Sequence, residues 1–191
     1  MPAAITEEQT TLDRDTLLDV AEKLFYRQGI QAVGMDELRT VSGLPLKRIY
    51  RIFPTKETLI VAMLERRDRR WRGSLATYLN QVPDPRERIL GLFDWLAEWF
   101  AEPGFRGCAW INAYGELGSS SPAVAAEVRS HKQAFHNQVV ELVAPVNARV
   151  AEPVYLLAEG AIVVAGIHGS TTAAHHGRRG AEALLDANST A

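Results

Sequence analysis

The sequence predicts an all-α protein with a three-helix N-terminal domain and a C-terminal helical bundle of about six helices. Apolar residues recur at helical spacing through almost every segment, and no stretch alternates between apolar and polar residues for long. Helix-capping residues, prolines and glycines separate these segments. Of the 191 residues, 47% are hydrophobic and 23% are charged, which is the composition of an ordinary globular chain.

Three helices are predicted in the first part of the chain. Gly29 is the expected stop of the first helix, whose buried stripe consists of five apolar residues: Leu17, Leu18, Ala21, Leu24 and Phe25. A short helix is predicted at about 35–42, with Gly34 as its cap. Gly43 then predicts a turn, and Pro45 fits the first position of a third helix.

Two longer helices are predicted next. Thr55 is an N-cap for a helix with residues at helical spacing: Leu59, Met63, Arg67, Trp71, Leu75 and Tyr78. Asp84 and Glu87 form a variant of the capping box, and Pro85 suits the first helical position. The helix that begins there carries six apolar residues and is expected to end at Pro103-Gly104: Ile89, Leu92, Phe93, Leu96, Trp99 and Phe100.

The remaining helices are expected at about 108–117, 122–144, 154–168 and 179–185. Pro145 and Pro153 are expected to bracket a loop, and His175-His176 to lie in a turn. The segment 154–168 is apolar almost all round and contains many small residues.

Composition and the start of the chain indicate a cytoplasmic protein. Cys108 is the single cysteine, which excludes an intramolecular disulfide and fits a reducing compartment. The first residues are polar and lack a positively charged segment followed by an apolar run, so no signal peptide is predicted. The longest apolar stretch, 161–167, is far too short to span a membrane. No membrane partner is therefore expected.

Charge is distributed unevenly along the chain. The formal net charge of −2 argues against a general nucleic-acid binder. Between Arg39 and Arg72, however, Lys and Arg greatly outnumber acidic residues. Because nucleic-acid affinity depends on the charge of the contact face, a local basic region can act within an acidic chain. The arginine-rich run 66–72 is better explained as a solvated helix end than as a second contact.

The short helix, glycine-bearing turn and second short helix match the helix-turn-helix arrangement of DNA-binding proteins. Five apolar residues are expected to face inward: Leu38, Val41, Leu44, Ile49 and Phe53. Arg51 follows Lys47 and Arg48 by four and three residues, so these cations are expected to share the outer face. Such a face suits the major groove, with Tyr50 and Lys56 reaching phosphates. A solvated helix face is the alternative explanation.

At these residues the sequence resembles the TetR family of transcriptional regulators, in particular its AcrR-like members. The resemblance covers about 13–63 and rests on residue type and spacing together: Leu24-Phe25, Gly29, Leu38, Ser42-Gly43-Leu44, Ile49-Tyr50, Phe53, Lys56 and Leu59. A weaker resemblance follows at Arg106-Gly107-Cys108, Asn112 and Glu116-Leu117. Four residues depart from the family pattern: Arg39, Pro45, Lys47 and Ile52. An operator sequence cannot be carried over from a relative, because Lys47 and Arg48 alter the surface that would read the bases.

The resemblance implies a division of the chain by function. Three helices would bind DNA, and about six would bind an effector and dimerise. We therefore expect a helix-turn-helix domain at 12–53 with its motif at about 34–53, a linking helix at 54–80, and a ligand-binding and dimerisation domain at 81–187. The segments 1–11 and 188–191 are expected to be flexible tails.

Aromatic residues suggest where an effector would bind. Trp95 and Trp99 are four residues apart, as are Trp110 and Tyr114, so each pair is expected to stack along one helical face. Such aromatics either pack in the core or line a pocket for an apolar or aromatic small molecule. In the second case, Asn112 or Glu116 would orient the ligand.

No cofactor or metal is expected. His131 and His136 are five residues apart, which is poor geometry for two ligands on one helix, and His175-His176 sits in a segment rich in Gly and Arg. Cys108 is expected to be a buried structural thiol, and an oxidant-sensing role is the alternative.

The segment 154–168 and the last helix are expected to pair with a second copy of the chain. The candidate interface residues are Val154, Leu157, Ala161, Val164, Ala165 and His168. Two helices from each copy would form a four-helix interface, and two-fold symmetry would present both third helices to a palindromic operator on double-stranded DNA.

The function expected from these features is that of a homodimeric repressor released from its operator by a small molecule. A helical adaptor that binds protein rather than a specific DNA sequence is the alternative. An enzyme is not expected, because the sequence contains no Gly-rich phosphate loop, metal-ligand cluster or nucleophile–base signature.

Overall fold

The computed structural model describes residues 6–187. Within this range it contains nine α-helices, a short 3₁₀ turn at Ala148–Val150 and no strand, which confirms the all-α prediction. The helices are α1 (Glu7–Gln28), α2 (Met35–Ser42), α3 (Leu46–Ile52), α4 (Lys56–Asn80), α5 (Pro85–Phe100), α6 (Ala109–Leu117), α7 (Pro122–Asn147), α8 (Ala151–His168) and α9 (Thr172–Ala187).

The described chain forms two compact units. The first contains the residues up to Arg67 together with Ala109–Val128, and the second contains Asp68–Cys108 and the residues from Arg129 onward. Helices α4 and α7 therefore each contribute residues to both units. The functional domain limits expected from the sequence remain predictions.

Helices α1, α2 and α3 pack together in the first unit. All five predicted stripe residues of α1 are buried, and Gly29 ends the helix with a φ of 91°. Gly43 turns the chain after α2 with a φ of 70°, in the left-handed region that favours glycine. Val41 was expected to face inward but is 54% exposed, and Pro45 is the N-cap of α3 rather than its first residue.

Side-chain caps begin α4 and α5 as predicted. The Thr58 amide donates to Thr55 Oγ1 at 3.1 Å, one residue before α4 begins. The Glu87 amide donates to Asp84 Oδ1 at 2.8 Å, and Pro85 is the first residue of α5. Each cap satisfies an amide that has no partner within its helix.

Two helices are longer than the sequence predicted. Thr6 caps α1, which begins at Glu7 and so includes part of the expected 1–11 tail. Helix α9 begins at Thr172, so His175 and His176 are helical and the predicted turn is wrong. Alanine and leucine are strong helix formers and outweigh the two glycines in this segment. Residues 1–5 and the predicted tail 188–191 lie outside the described part.

The predicted loop between Pro145 and Pro153 is also wrong. Helix α7 continues through Pro145 to Asn147, and α8 begins at Ala151 with Pro153 in its first turn. Proline is tolerated in a first turn because the amides there have no partner within the helix.

The helical stretch Pro122–His168 is long and apolar enough to cross a membrane by length and composition. This is weak evidence for a membrane span, because the core helix of a soluble protein passes the same test.

Close helix packing in the second unit depends on small residues. Helix α9 packs on α5 and α8. A Cβ atom at Gly177 would lie 2.6 Å from Cε1 of Phe93, and one at Gly180 would lie 3.1 Å from Cδ1 of Leu157. These glycines therefore lie where α9 approaches the neighbouring side chains most closely.

Gly177→Ala is expected to destabilise the protein by about 1–3 kcal/mol, because the added methyl group displaces the Phe93 ring. The matched control is Gly73→Ala in α4, where nothing lies within 4 Å of the added carbon. This control is expected to stabilise the helix by about 0.5–1 kcal/mol. Urea denaturation measures both changes, and equal stabilisation by the two substitutions would contradict the packing argument.

Candidate functional site

Helix α3 presents a compact polar surface to solvent. Ile49 is completely buried, while Lys47, Tyr50 and Arg51 are exposed. Lys47 and Arg51 are four residues apart and therefore neighbours on the helix. We call these three exposed residues the α3 face.

Arg48 does not belong to this face. Its Nε pairs with the carboxylate of Asp13 in α1, and its side chain is only 17% exposed. The expectation that Lys47, Arg48 and Arg51 share one outer face is therefore wrong for Arg48. The partner could not be read from the sequence because Asp13 lies 35 positions earlier, although its place four residues before Leu17 puts it on the predicted buried stripe of α1.

Lys56, which the sequence suggested as a phosphate contact, has an internal partner. Its Nζ donates to the carbonyl oxygen of Ile30 at 2.6 Å and lies 5.6 Å from the centre of the Phe25 ring. Burial lowers the pKa of Lys56, and the charge of Glu116 opposes this shift. Lys56 thus holds the segment after α1 to the start of α4.

Glu116 of α6 holds the same segment from another side. Its carboxylate accepts the amides of Ile30 and Gln31 at 2.9 and 2.8 Å, and the Gln31 side chain donates back to the Glu116 carbonyl at 2.6 Å. We call these bonds the Glu116 clasp. The sequence suggested Glu116 as a ligand-orienting group, but in this structure backbone amides occupy its carboxylate.

A second polar contact joins the start of α7 to α4 within the first unit. The Ser121 hydroxyl donates to Glu57 Oε1 at 2.5 Å and accepts the amide of Val124 at 3.1 Å. Ser121 is therefore both the cap of α7 and a link to the first turn of α4.

A recess in the first unit lies beside the Glu116 clasp. Apolar residues of α1, α4 and α6 line it together with Asn112 and the Glu22–Arg67 ion pair, whose atoms are 2.8 Å apart. Its cavity volume of about 20 Å³ accommodates about one water molecule. Effector pockets have volumes of about 300 Å³ or more, so this recess is too small for an effector in the observed conformation.

The aromatic residues proposed for an effector site divide between the units. Trp95 and Trp99 belong to the second unit, and Trp110, Asn112, Tyr114 and Glu116 belong to the first. Trp110 is buried, whereas Tyr114 is half exposed. The two residues that were expected to stack on one helical face therefore lie in different environments.

Trp71 is the centre of an aromatic cluster in the second unit. Its ring packs edge-on against Trp95, Trp99 and Phe135, with centroids 5.1–5.3 Å apart. Trp95 and Trp99 stack at 6.0 Å, which confirms their predicted contact along α5. The sequence placed Trp71 on a helical stripe but did not show that its ring packs against both Trp95 and Trp99. In this conformation the rings fill the space between one another.

A charged group borders this cluster. His131 Nδ1 lies 2.7 Å from Asp68 Oδ1, and Arg72 forms a bidentate pair with the same carboxylate. Burial disfavours the Asp68 charge, but hydrogen bonds from His131 and Arg72 outweigh it and lower the pKa to about 2. Burial lowers the pKa of His131 despite the opposing effect of Asp68. The carboxylate is therefore ionised and the imidazole predominantly neutral at pH 7.

Cys108 is buried in the second unit, as expected for a structural thiol. Lys132 Nζ lies 3.6 Å from its Sγ and 2.6 Å from Glu159. The sequence did not suggest this lysine as a neighbour. Burial, followed by the charge of Glu159, raises the pKa of nearby Tyr155 to about 12, so this phenol is neutral.

Helix α8 presents an apolar strip to solvent. Its exposed residues follow helical spacing: Leu156, Gly160, Val163, Val164 and Ile167. We call this set the α8 strip. Of the interface residues suggested by the sequence, Val164 and His168 are exposed and Leu157 is partly exposed. The other three are buried within the chain itself, so their assignment to an interface is wrong: Val154, Ala161 and Ala165.

Residues 17–63 match the model of the bacterial regulatory proteins, tetR family. An uncharacterised HTH-type transcriptional regulator of Mycobacterium tuberculosis is 31% identical over 86 residues, which are 45% of this chain and 43% of the relative. The HTH-type transcriptional repressor NemR of Escherichia coli is 30% identical over 114 residues, which are 59% of this chain and 56% of NemR.

The fold also matches solved structures. A TetR-family transcriptional regulator from Streptomyces coelicolor superposes with a TM-score of 0.84 and 28% identity, covering 92% of this chain and 95% of that one. The match to the two curated relatives spans about half of their lengths or less. The family-model match at 17–63 includes α2 and α3.

Glu116→Ala is expected to lower the free energy of unfolding by about 1–3 kcal/mol, because the amides of Ile30 and Gln31 lose their acceptor. Glu65→Ala, at an exposed position of α4, is the matched control and is expected to change it by less than about 0.5 kcal/mol. Urea denaturation gives the free energy, and hydrogen exchange at the two amides localises the effect. Unchanged exchange there would contradict the clasp.

Proposed function

We propose that this chain is a DNA-binding transcriptional regulator of the TetR family, a repressor that a small-molecule effector releases from its operator. Repression and release by an effector are typical of the family. The observation that carries the proposal is the α3 face, where Lys47, Tyr50 and Arg51 are exposed while Ile49 anchors the helix. We place this activity in the cytoplasm, where the DNA lies.

The α3 face has the chemistry needed to contact a DNA duplex. Lys47 and Arg51 donate to guanine edges in the major groove, and Tyr50 donates to a phosphate. No acidic residue lies in α3, so nothing on this helix opposes the approach of a phosphate backbone. Because the net charge of the chain is −2, electrostatic attraction to DNA comes from local cations such as Lys47 and Arg51 and not from the chain as a whole.

The α8 strip supports a homodimer. Exposed Leu156, Val163 and Ile167 are large apolar residues, and Gly160 between them allows close approach of a second helix. The same strip of a second copy would cover these residues. The two copies then form a two-fold interface in which both use the same surface. Two α3 faces related by this symmetry suit a palindromic operator.

The effector site of this proposal is the aromatic cluster of the second unit. Trp71, Trp95 and Trp99 offer apolar ring surface to an apolar or aromatic molecule. Since the rings fill the space between them, the effector binds only when they separate. A molecule that favours the separated arrangement stabilises it by its difference in affinity.

Release from DNA then follows from linkage. An effector that binds better to the DNA-free conformation weakens DNA binding by the same factor by which DNA weakens effector binding. Helices α4 and α7 run through both units, and the Glu116 clasp joins α6 to the segment between α1 and α2. These elements are the proposed path by which the effector alters the α3 face.

Lys47→Ala with Arg51→Ala is expected to weaken binding about 100-fold or more, because two base contacts are lost. The probe is the duplex that the wild-type protein enriches from a randomised pool, measured by fluorescence anisotropy. Lys23→Ala with Arg27→Ala removes the same charge from exposed positions of α1 and is the matched control. Equal losses for both double variants, or no enriched duplex at all, would refute sequence-specific binding by α3 and favour the adaptor.

Ile167→Glu is expected to convert a dimer into a monomer, because it places a charge in the α8 strip at a residue that is 74% exposed. Sedimentation equilibrium measures the change. Leu12→Glu places the same charge at an exposed apolar residue of α1; it is the control and should leave the dimer intact. A dimer that persists in Ile167→Glu would show that the interface lies elsewhere.

A further inference from the structure

Asp13 is an unusual residue on α1 because it is an acid that is only 6% exposed, four residues before buried Leu17 on the inward side of the helix. Its carboxylate contacts one residue of its own helix and one residue of α3. Gln9 Nε2 donates to Oδ1 at 2.9 Å, and Arg48 Nε of α3 pairs with Oδ2. Arg48 Nη2 also lies 3.4 Å from the Gln9 carbonyl oxygen.

This ion pair acts on a helix that has few other anchors. Helix α3 has seven residues, and Ile49 is the only one of them that is buried. A single buried side chain fixes where a helix lies but leaves rotation about that contact weakly opposed. A second anchor on another side of the helix removes that freedom.

A second arginine, this one on α1, contacts the residue that follows α3. The Arg14 guanidinium of α1 lies 5.2 Å from the centre of the Phe53 ring, within the range of a cation–π interaction. Adjacent residues of α1 thus hold both α3 and the residue that follows it. Asp13 and Arg14 are the two fixed points on α1.

We infer that the Asp13–Arg48 ion pair sets the rotation of α3, so that Arg48 is a positioning residue and Asp13, which never approaches DNA, determines the sequence preference of the α3 face. The inference rests on the proposed function, since it concerns what Lys47 and Arg51 reach. Rotation of α3 by one residue step of about 100° would replace Lys47 by Arg48 on the outer surface. Holding Arg48 inward therefore selects which cations meet the bases.

Removing Asp13 distinguishes a positioning role of Arg48 from direct DNA contact, because the two roles predict opposite changes in DNA affinity. If Arg48 only positions α3, removing Asp13 disorders the face and weakens specific binding. If Arg48 itself binds DNA, removing Asp13 frees a cation and removes a nearby negative charge, so binding stays equal or tightens. Asp15→Ala is the matched control, because Asp15 is an exposed acid two residues away on the same helix.

The experiment measures anisotropy of the enriched duplex and of a scrambled duplex across a salt series. We expect Asp13→Ala to weaken binding of the enriched duplex about tenfold and to leave scrambled-duplex affinity within about twofold. Asp13→Asn preserves size and should show a smaller loss in the same direction. Asp15→Ala should leave the ratio of the two affinities unchanged. Equal or tighter binding of the enriched duplex by Asp13→Ala would overturn the inference.

Arg48→Gln supplies an independent measurement. A residue that contacts a phosphate contributes about 0.9 to the slope of log affinity against log salt, and a positioning residue contributes nothing. We expect Arg48→Gln to reproduce the loss of selectivity of Asp13→Ala with an unchanged slope. A slope reduced by about 0.9 would overturn the positioning role.

Hydrogen exchange in the free protein separates failure of this inference from failure of the proposed function. Asp13→Ala should speed exchange at the α3 amides, 46–52, relative to the amides of α1, whereas Asp15→Ala should not. If the wild-type protein enriches no duplex, the proposed function fails and the inference about sequence preference fails with it, even if exchange in α3 changes. If a duplex is enriched but exchange in α3 is unaffected by Asp13→Ala, the inference alone is overturned.

Discussion

A helix of seven residues has no stability of its own in water, so the surface formed by α3 depends on its attachment to α1. Helix nucleation fixes several backbone angles for the first hydrogen bond, and seven residues add too few further bonds to offset that cost. Ile49, Arg48 and the neighbouring Phe53 supply the missing free energy through tertiary contacts. The exposed cations of α3 are therefore arranged by residues that are themselves hidden.

Charged side chains in the first unit act mainly as structural links. Lys56 binds a carbonyl oxygen, Glu116 binds two amides, and Arg48 binds a buried carboxylate. Each link satisfies polar groups between elements that apolar packing alone would leave free to slide. Lys47 and Arg51 are the two candidate cations that remain exposed.

The second unit has a different design. Its aromatic cluster and the close approach of α9 to α5 provide a dense interior, and the ionised Asp68 borders it with His131 and Arg72 as partners. A cluster whose rings are in contact either excludes a small molecule or admits it when the rings separate. Under the proposed function the rings separate, so that effector binding and conformational change are the same event.

The sequence by itself determined the number and order of the helices, the caps at Thr55 and Asp84, and the turns at Gly29 and Gly43, because these depend on groups within a few residues of one another. The tertiary structure decided which charged groups are exposed, since the partners of Arg48 and Glu116 lie 35 and about 85 positions away. It also decided the outer face of α8. That helix is apolar almost all round, so its periodicity carries no signal that separates buried Ala161 and Ala165 from exposed Val163 and Ile167. Only packing against α5 and α9 makes the distinction.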